Sequence, residues 1–226
     1  MLKSFPLVAL AGAVFVAGGE SAEDATLSGE SFAIKEEAAT IEYTVTSGEA
    51  VVVFEAESEQ VMRGIEVCRP DGRPVLRLVA GHGQESRISG FVVESGEGPP
   101  SQVLAQHGEG LYGMSAIAAD GSRATGGAEL SHALLPAPLV VYPEEGDVGV
   151  PTNATVRWVP DPAAVEYRIV LEQDENDGLT ARLPAGSSSF QIPPGVLRSQ
   201  ELSHVEVGAV GDNGNVTQVE IEFVTL

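Results

Sequence analysis

The chain has 226 residues, of which 33 are acidic and 12 are basic, and its formal net charge is −21 at pH 7. A charge of this size repels phosphate groups, so nucleic acid and anionic membrane surfaces are excluded as expected partners. The hydrophobic content of 43% is sufficient for packed cores, and the length fits one large domain or two small ones.

Residues 1–22 have the parts of an export signal peptide. Lys3 supplies a positive start, residues 7–17 are almost all apolar, and small residues follow. The apolar run is too short to span a bilayer. The sequence therefore predicts export, with cleavage after residue 17 and before Ala25, to the periplasm, the cell surface or the medium. A retained N-terminal anchor helix is the alternative.

The sequence of residues 23–135 predicts an all-β domain of about eight short strands. The motifs of this domain match no family. Apolar and polar residues alternate as they do in half-buried strands, and no window keeps the helical period of 3.6. Residues 96–102 are predicted to be an open loop, and Arg69-Pro70-Asp71-Gly72 is predicted to be a tight turn. The predicted strands are 32–34, 41–45, 50–54, 65–67, 75–79, 91–93, 111–117 and 124–130.

Leu135-Pro136-Ala137-Pro138 predicts a domain boundary, because two spaced prolines favour an extended and fairly stiff connection. Residues 138–226 then predict a second antiparallel sandwich of seven strands. Its second strand contains the only tryptophan, Trp158, which we expect on the core face beside Tyr167 and Val207.

The second domain resembles a fibronectin type III domain. The resemblance rests on a proline-led first strand, on Trp158, on the run Ala164–Ile169 and on the run Val205–Val210 before a polar hairpin. The tyrosine that the family usually carries shortly before this last run is replaced by Ser203-His204. The resemblance implies a binding or spacing role in an exported protein, without catalytic residues. The predicted fold class is all-β, with two antiparallel β-sandwich domains in tandem after a signal peptide.

Cysteine and histidine residues show no catalytic or metal-binding spacing. Cys68 is the sole cysteine, so no intramolecular disulfide can form, and no nearby histidine could activate its thiol. The four histidines, which lack a zinc pattern, are read as ordinary polar residues, although loops could bring the first two together. They are His82, His107, His132 and His204.

Two further motifs have alternative interpretations. The acidic run Asp174–Gly178 offers the oxygen ligands that calcium prefers, but its glycine does not fit the EF-hand spacing, so a solvated hairpin loop is the simpler prediction. Asn153-Ala154-Thr155 and Asn215-Val216-Thr217 match the acceptor pattern for N-glycosylation.

The sequence thus predicts an exported, non-enzymatic binding or structural module that contacts another protein at an envelope or in an extracellular assembly. No catalytic, cofactor-binding or metal-ligating residue and no cofactor is assigned, and no membrane insertion is expected after cleavage. One alternative is a calcium- or glycan-binding module. Another is a hydrolase or metal-dependent enzyme in the first domain, which would involve His82, His107 or Glu94. The excess of carboxylates is read mainly as a solubility device.

Overall fold

The computed structural model describes residues 31–80, 88–118, 120–174 and 177–226. The predicted signal peptide and His82 lie outside these residues. The described chain is nearly all β, as predicted, with one short helix, α1 (Pro100–Gln106), between the fourth and fifth strands. The strands are β1 (Ile34–Thr44), β2 (Glu49–Cys68), β3 (Pro74–Val79), β4 (Ile88–Glu94), β5 (Gly110–Ala118), β6 (Arg123–Leu130), β7 (Leu139–Tyr142), β8 (Asp147–Val150), β9 (Thr155–Val159), β10 (Glu166–Asp174), β11 (Asp177–Pro184), β12 (Ser189–Gln191), β13 (Leu202–Val210) and β14 (Val216–Thr225).

The described residues form two compact units, and β1 and β2 each contribute residues to both. Unit 1 consists of the described residues up to Ala39 together with Val53–Glu94 and His107–Leu130. Unit 2 consists of Thr40–Val52, Ser95–Gln106 and Ser131–Leu226. The predicted boundary at residues 135–138 remains a prediction.

Unit 1 is organised around the long strand β2. This strand pairs antiparallel with β4 over Val53–Glu57, with β3 over Gly64–Cys68 and with β5 over Met62–Cys68. Strand β5 in turn forms the predicted hairpin with β6. The Arg69–Gly72 turn is also confirmed, because the Gly72 N–H donates to the Arg69 carbonyl at 2.8 Å and Gly72 has φ 82°.

The prediction of about eight strands in the first domain is wrong, because residues 31–130 of the described chain form six, β1 to β6. Predicted strands 32–34 and 41–45 both fall on β1, and predicted strands 50–54 and 65–67 are parts of one strand, β2. Apart from Val53, its buried positions are even-numbered as far as Met62 and odd-numbered from Ile65, and the pairing with β5 shifts register between Met62 and Gly64. Such a bulge adds one residue, so the core-facing positions change from even-numbered to odd-numbered. A simple alternation pattern is interrupted at this point, and the single strand therefore looks like two in the sequence.

The prediction of an open loop at residues 96–102 is also wrong, because α1 begins at Pro100. Proline is favoured in the first helical turn. The backbone N–H groups there have no acceptor within the helix, so a residue without an N–H loses no hydrogen bond. The Gln102 and Val103 N–H groups both donate to the Pro99 carbonyl, and Val103 is buried. A helix of seven residues with a single apolar anchor is too short to show a helical period in the sequence.

Unit 2 contains a sandwich of two sheets, which confirms the predicted architecture. The smaller sheet has the order β12-β9-β7, and the larger sheet includes the run β11-β10-β13-β14. Strand β14 also pairs in parallel with β8 and with residues 42–44 of β1. Residues 138–226 form eight strands rather than the seven predicted, and β8 was not anticipated.

The core of unit 2 lies between its two sheets and includes Trp158, as predicted. The indole ring is 3% exposed, and its centroid lies 5.3 Å from that of Tyr167. Val207 belongs to the same buried cluster. Among the residues that the structure describes, no helix has the length and apolar character needed to cross a membrane.

Candidate functional site

The larger sheet of unit 2 has one buried side and one charged side. Residues Tyr167, Ile169 and Leu171 of β10 and residues Val205 and Val207 of β13 are buried in the core. Because side chains alternate along a strand, the residues between them point to the opposite side of the sheet. We call this side the acidic face and define it by Glu42, Arg168, Glu172, His204, Glu206, Gln218, Glu220 and Glu222.

Strand register places these side chains in rows across β10, β13 and β14. One row joins Glu172, His204 and Glu222. In the next row Glu206 stands opposite Glu220. Residues directly opposite each other in antiparallel strands have Cβ atoms about 4.5–5.5 Å apart, so the charges within a row interact.

A third row carries a polar bridge that crosses four strands. Arg168 of β10 lies in register with Gly208 of β13, which lies opposite Gln218 of β14, and Gln218 pairs with Thr44 of β1. Arg168 Nη2 donates to Gln218 Oε1 at 2.8 Å, and Gln218 Nε2 donates to Thr44 Oγ1 at 3.0 Å. Arg168 also binds Glu42 in a bidentate ion pair, with distances of 2.5 Å and 2.7 Å. Charge-assisted bidentate pairs of this kind are the strong ones among protein hydrogen bonds.

Gly208 makes this bridge geometrically feasible. A Cβ atom at this position would lie 2.9 Å from Val216 Cγ1 and 3.5 Å from Gln218 Cβ. A larger residue would therefore compete with the side chains that meet above β13. The glycine leaves room for the Arg168 side chain to reach from β10 to β14 and β1.

The acidic face also contains a carboxyl group with an altered acidity. Burial raises the pKa of Glu206 to about 7; Arg168 lowers it, whereas the carboxylates of Glu220, Glu172 and Glu42 raise it further. Desolvation and like charges both disfavour the ionised form of a carboxyl group. His204 lies beside it on β13, with Nδ1 3.1 Å from Glu220 Oε1 and 3.6 Å from Glu222 Oε1.

A shifted carboxyl pKa is common at functional sites, but it also occurs in structural ion networks. The group with the raised pKa, Glu206, lies on one face of the larger sheet of unit 2. A groove of about 410 Å³ lies elsewhere in unit 2, lined by Pro160, Asp161, Pro162, Ala164, Ala185 and Gly186. Within the described ranges, no group of three or more His, Cys, Asp or Glu residues could hold a metal ion.

The described residues include two of those weighed for catalysis in the first domain, His107 and Glu94. His107 is buried in unit 1, with its ring 6.2 Å from Phe54, and Glu94 is the last residue of β4. His82 is outside the described residues, so its predicted proximity to His107 remains a prediction. Cys68 ends β2, and burial together with Glu66 raises the pKa of its thiol, which disfavours the reactive thiolate.

The two glycosylation patterns differ in accessibility. Asn153 is exposed in the turn before β9. Asn215 is 2% exposed: its Oδ1 accepts from the Ile41 N–H at 2.8 Å, and its Nδ2 donates to the carbonyls of Ser131 and Ala133 at 2.7 Å and 2.9 Å. The Asn215 amide therefore holds three backbone groups and is not presented to a glycosylating enzyme in the folded protein.

The acidic run Asp174–Gly178 lies at the predicted hairpin. Asp174 pairs with Asp177, and these are the terminal partners of the β10–β11 pair. Residues 175 and 176 are outside the described residues, so the calcium alternative stays a hypothesis.

Sequence reasoning did not single out the acidic face. The alternation of β10 and β13 shows which side chains point outward, but Arg168 and Glu42 are 126 positions apart in the chain. The one available signal is Gly208 in an otherwise regular strand, since such a glycine often marks a close approach by another group.

No known protein family matches the sequence, and no curated protein resembles it closely enough to count as a relative. Solved structures that are similar include the fibronectin(III)-like modules of Clostridium thermocellum CbhA, with 10% identity, a TM-score of 0.34, and coverage of 85% of this chain and 93% of that one. A two-domain fibronectin type III segment of chicken tenascin has 11% identity, a TM-score of 0.33, and coverage of 87% and 98%. A tetra-tandem repeat from the extending region of a large adhesion protein has 13% identity, a TM-score of 0.31, and coverage of 84% and 49%. All three TM-scores are below 0.5, so the fold assignment rests on the strand order described above.

Proposed function

We propose that this protein is an exported, non-enzymatic binding or structural module that contacts a basic protein surface at an envelope or in an extracellular assembly. The observation that carries the proposal is the acidic face, where charged side chains are fixed on paired strands. Charges that are already held in place lose little conformational entropy when a partner of opposite charge binds. Complementary charge also speeds the encounter between the two surfaces.

The buried polar side chains of unit 2 support a scaffold role. Gln173 receives the Arg198 N–H at 2.6 Å and donates to the Arg198 carbonyl at 2.8 Å. Thr225 Oγ1 accepts from the Glu201 N–H at 3.0 Å and donates to the Arg198 carbonyl at 2.6 Å. These side chains, like Asn215, use their hydrogen-bonding capacity to hold connecting segments against the strands, so they serve the fold rather than a reaction.

The test is to measure binding of the full chain to a synthetic lysine-rich peptide and to envelope and extracellular protein fractions, at low and at high salt. The double variant E172Q/E222Q should bind more weakly than the wild type, and high salt should weaken both, because mobile ions screen exposed charges. The matched control is E97Q/E129Q, which removes the same charge from exposed positions outside the acidic face.

Equal weakening in both double variants would show that net charge alone drives binding and would contradict a role for the acidic face. The same preparations are screened for hydrolase activity. Turnover that is lost on substitution of His82, His107 or Glu94 would overturn the non-enzymatic proposal.

A further inference from the structure

The acidic face holds a pair of carboxyl groups that oppose each other across two strands. Glu206 of β13 stands directly opposite Glu220 of β14, and on its other side it stands opposite Val170 of β10. Like charges placed directly opposite each other destabilise an antiparallel pair. The β13–β14 pair is therefore favoured when one of these two groups is uncharged.

The charged and titratable neighbours of Glu206 come from four strands. Arg168 and Glu172 lie on β10, His204 lies on β13 itself, Glu220 and Glu222 lie on β14, and Glu42 lies on β1. Arg182 of β11, which stands opposite Arg168, adds a second guanidinium group to this side of the sheet, and carboxyl groups still outnumber guanidinium groups there.

The two terminal nitrogens of Arg168 are already engaged. Nη1 binds Glu42, and Nη2 binds Glu42 and Gln218. His204 Nδ1 lies within 3.6 Å of Glu220 and Glu222. Arg168 still lowers the pKa of Glu206, but burial raises it more, and Glu220, Glu172 and Glu42 add to the increase.

We propose that Glu206 is a proton switch of unit 2: its carboxyl group keeps a proton while the sheet is intact, and loss of that proton sets two carboxylates against each other across β13 and β14. The proposal is independent of the proposed function. It gives the protein a sheet that is tighter in mildly acidic surroundings than in alkaline ones.

The direction of the pH dependence follows from linkage. The pKa of Glu206 is raised from 4.5 to about 7 in the folded protein, mainly by burial. Between these two values the folded state holds a proton that the unfolded chain has lost. The stabilisation is complete below the ordinary glutamate value and disappears as the pH rises through about 7.

The experiment compares the full-length wild type with E206Q, which keeps the shape and hydrogen-bonding groups of a protonated glutamate. Urea unfolding is followed by the fluorescence of Trp158, the only tryptophan, which reports on unit 2. Between about pH 5 and about pH 7, the folding constant of the wild type should fall relative to that of E206Q by up to about tenfold per pH unit. E129Q, an exposed unit 1 variant, should follow the wild type at every pH.

Parallel stability curves for the wild type and E206Q over this range would overturn the proposal. Carbon-13 NMR of the glutamate carboxyl groups in the wild type gives an answer even if E206Q does not fold. One carboxyl group should titrate near neutral pH, and titration of all of them in the ordinary acidic range would contradict the switch. In E220Q this midpoint should move to lower pH, and an unchanged midpoint would refute the cross-strand opposition.

Discussion

Units 1 and 2 each bury one tyrosine completely beside a second aromatic ring, but they use the two hydroxyl groups in opposite ways. The Tyr112 ring lies 5.2 Å from that of Phe54 in unit 1, and the Tyr167 ring lies 5.3 Å from that of Trp158 in unit 2. The Tyr112 hydroxyl donates to the Gly108 carbonyl at 3.0 Å. The Tyr167 hydroxyl accepts from the Asp161 N–H at 2.6 Å.

This difference shows that the aromatic pair fills the core while the hydroxyl group adapts to whichever backbone group the adjacent loop leaves unpaired. A tyrosine whose hydroxyl returns to the backbone a few residues upstream is a recurrent device of immunoglobulin-like sandwiches. Burial raises the pKa of Tyr112, which keeps its hydroxyl proton available for donation to Gly108. Each unit therefore joins a hydrophobic centre to a loop through one side chain.

Removing the aromatic partners should have the largest effect. Trp158→Ala and Phe54→Ala each delete a buried ring, which typically costs about 3–5 kcal/mol of stability. Thermal melting followed by circular dichroism should show a large loss for each variant. Hydrogen exchange should show the loss of protection in β9, β10 and β13 for Trp158→Ala and in β2 and β5 for Phe54→Ala.

A control separates ring packing from polar contacts at this site. The buried Trp158 Nε1 has no hydrogen-bond partner within the described chain, so Trp158→Phe keeps an aromatic ring and removes an unpaired donor. This variant should lose much less stability than Trp158→Ala. An unchanged melting curve for Trp158→Ala would show that the ring does not contribute to the stability of the hydrophobic core.

The second prediction concerns the neighbouring glycines of β6, which crowd different groups of unit 1. A Cβ atom on Gly127 would lie 2.8 Å from the Tyr112 carbonyl oxygen, which belongs to a rigid strand. A Cβ atom on Gly126 would overlap the Glu37 carboxylate, which accepts from the Gly127 N–H and can move aside. Gly127→Ala should therefore cost about 1–3 kcal/mol through overpacking, and Gly126→Ala should cost less.

A double-mutant cycle tests this explanation. In a Glu37→Ala background, the added methyl group of Gly126→Ala meets no carboxylate, so its cost should largely disappear. The cost of Gly127→Ala should stay the same in both backgrounds. Rescue of both variants, or of neither, would contradict the assignment of two separate obstacles.

The sequence predicts strands well where the core-facing residues stay even-numbered, or stay odd-numbered, along the whole strand. The predicted strand 111–117 lies within β5, Gly110–Ala118, and Trp158 was placed correctly in the core because its neighbours alternate without interruption. Strand β2 was divided in two because the bulge near Met62 changes the parity of its inward residues. The alternation of apolar and polar residues describes a single strand. It therefore does not show an irregularity that arises from pairing with another strand.

The candidate site was less predictable than the fold. The outward positions of Arg168 and Glu206 follow from the alternation, but the groups that face them depend on strand register and on a pairing between β1 and β14. The sequence indicated an acidic protein without showing where opposed carboxylates would meet. Long-range pairing of this kind leaves no local pattern in the chain.

The smallest expected effects come from the two hydroxyl groups. Tyr112→Phe and Tyr167→Phe keep the rings in place and remove one hydrogen bond each, for which a typical net cost is about 0.5–1.5 kcal/mol. The Gly108 backbone is exposed, so water can replace the lost donor to its carbonyl. The Asp161 N–H is only partly accessible, so its lost acceptor is harder to replace. We expect Tyr167→Phe to cost more than Tyr112→Phe in urea unfolding of the full chain, and the reverse order would mean that the accessibility of the loop does not set the cost.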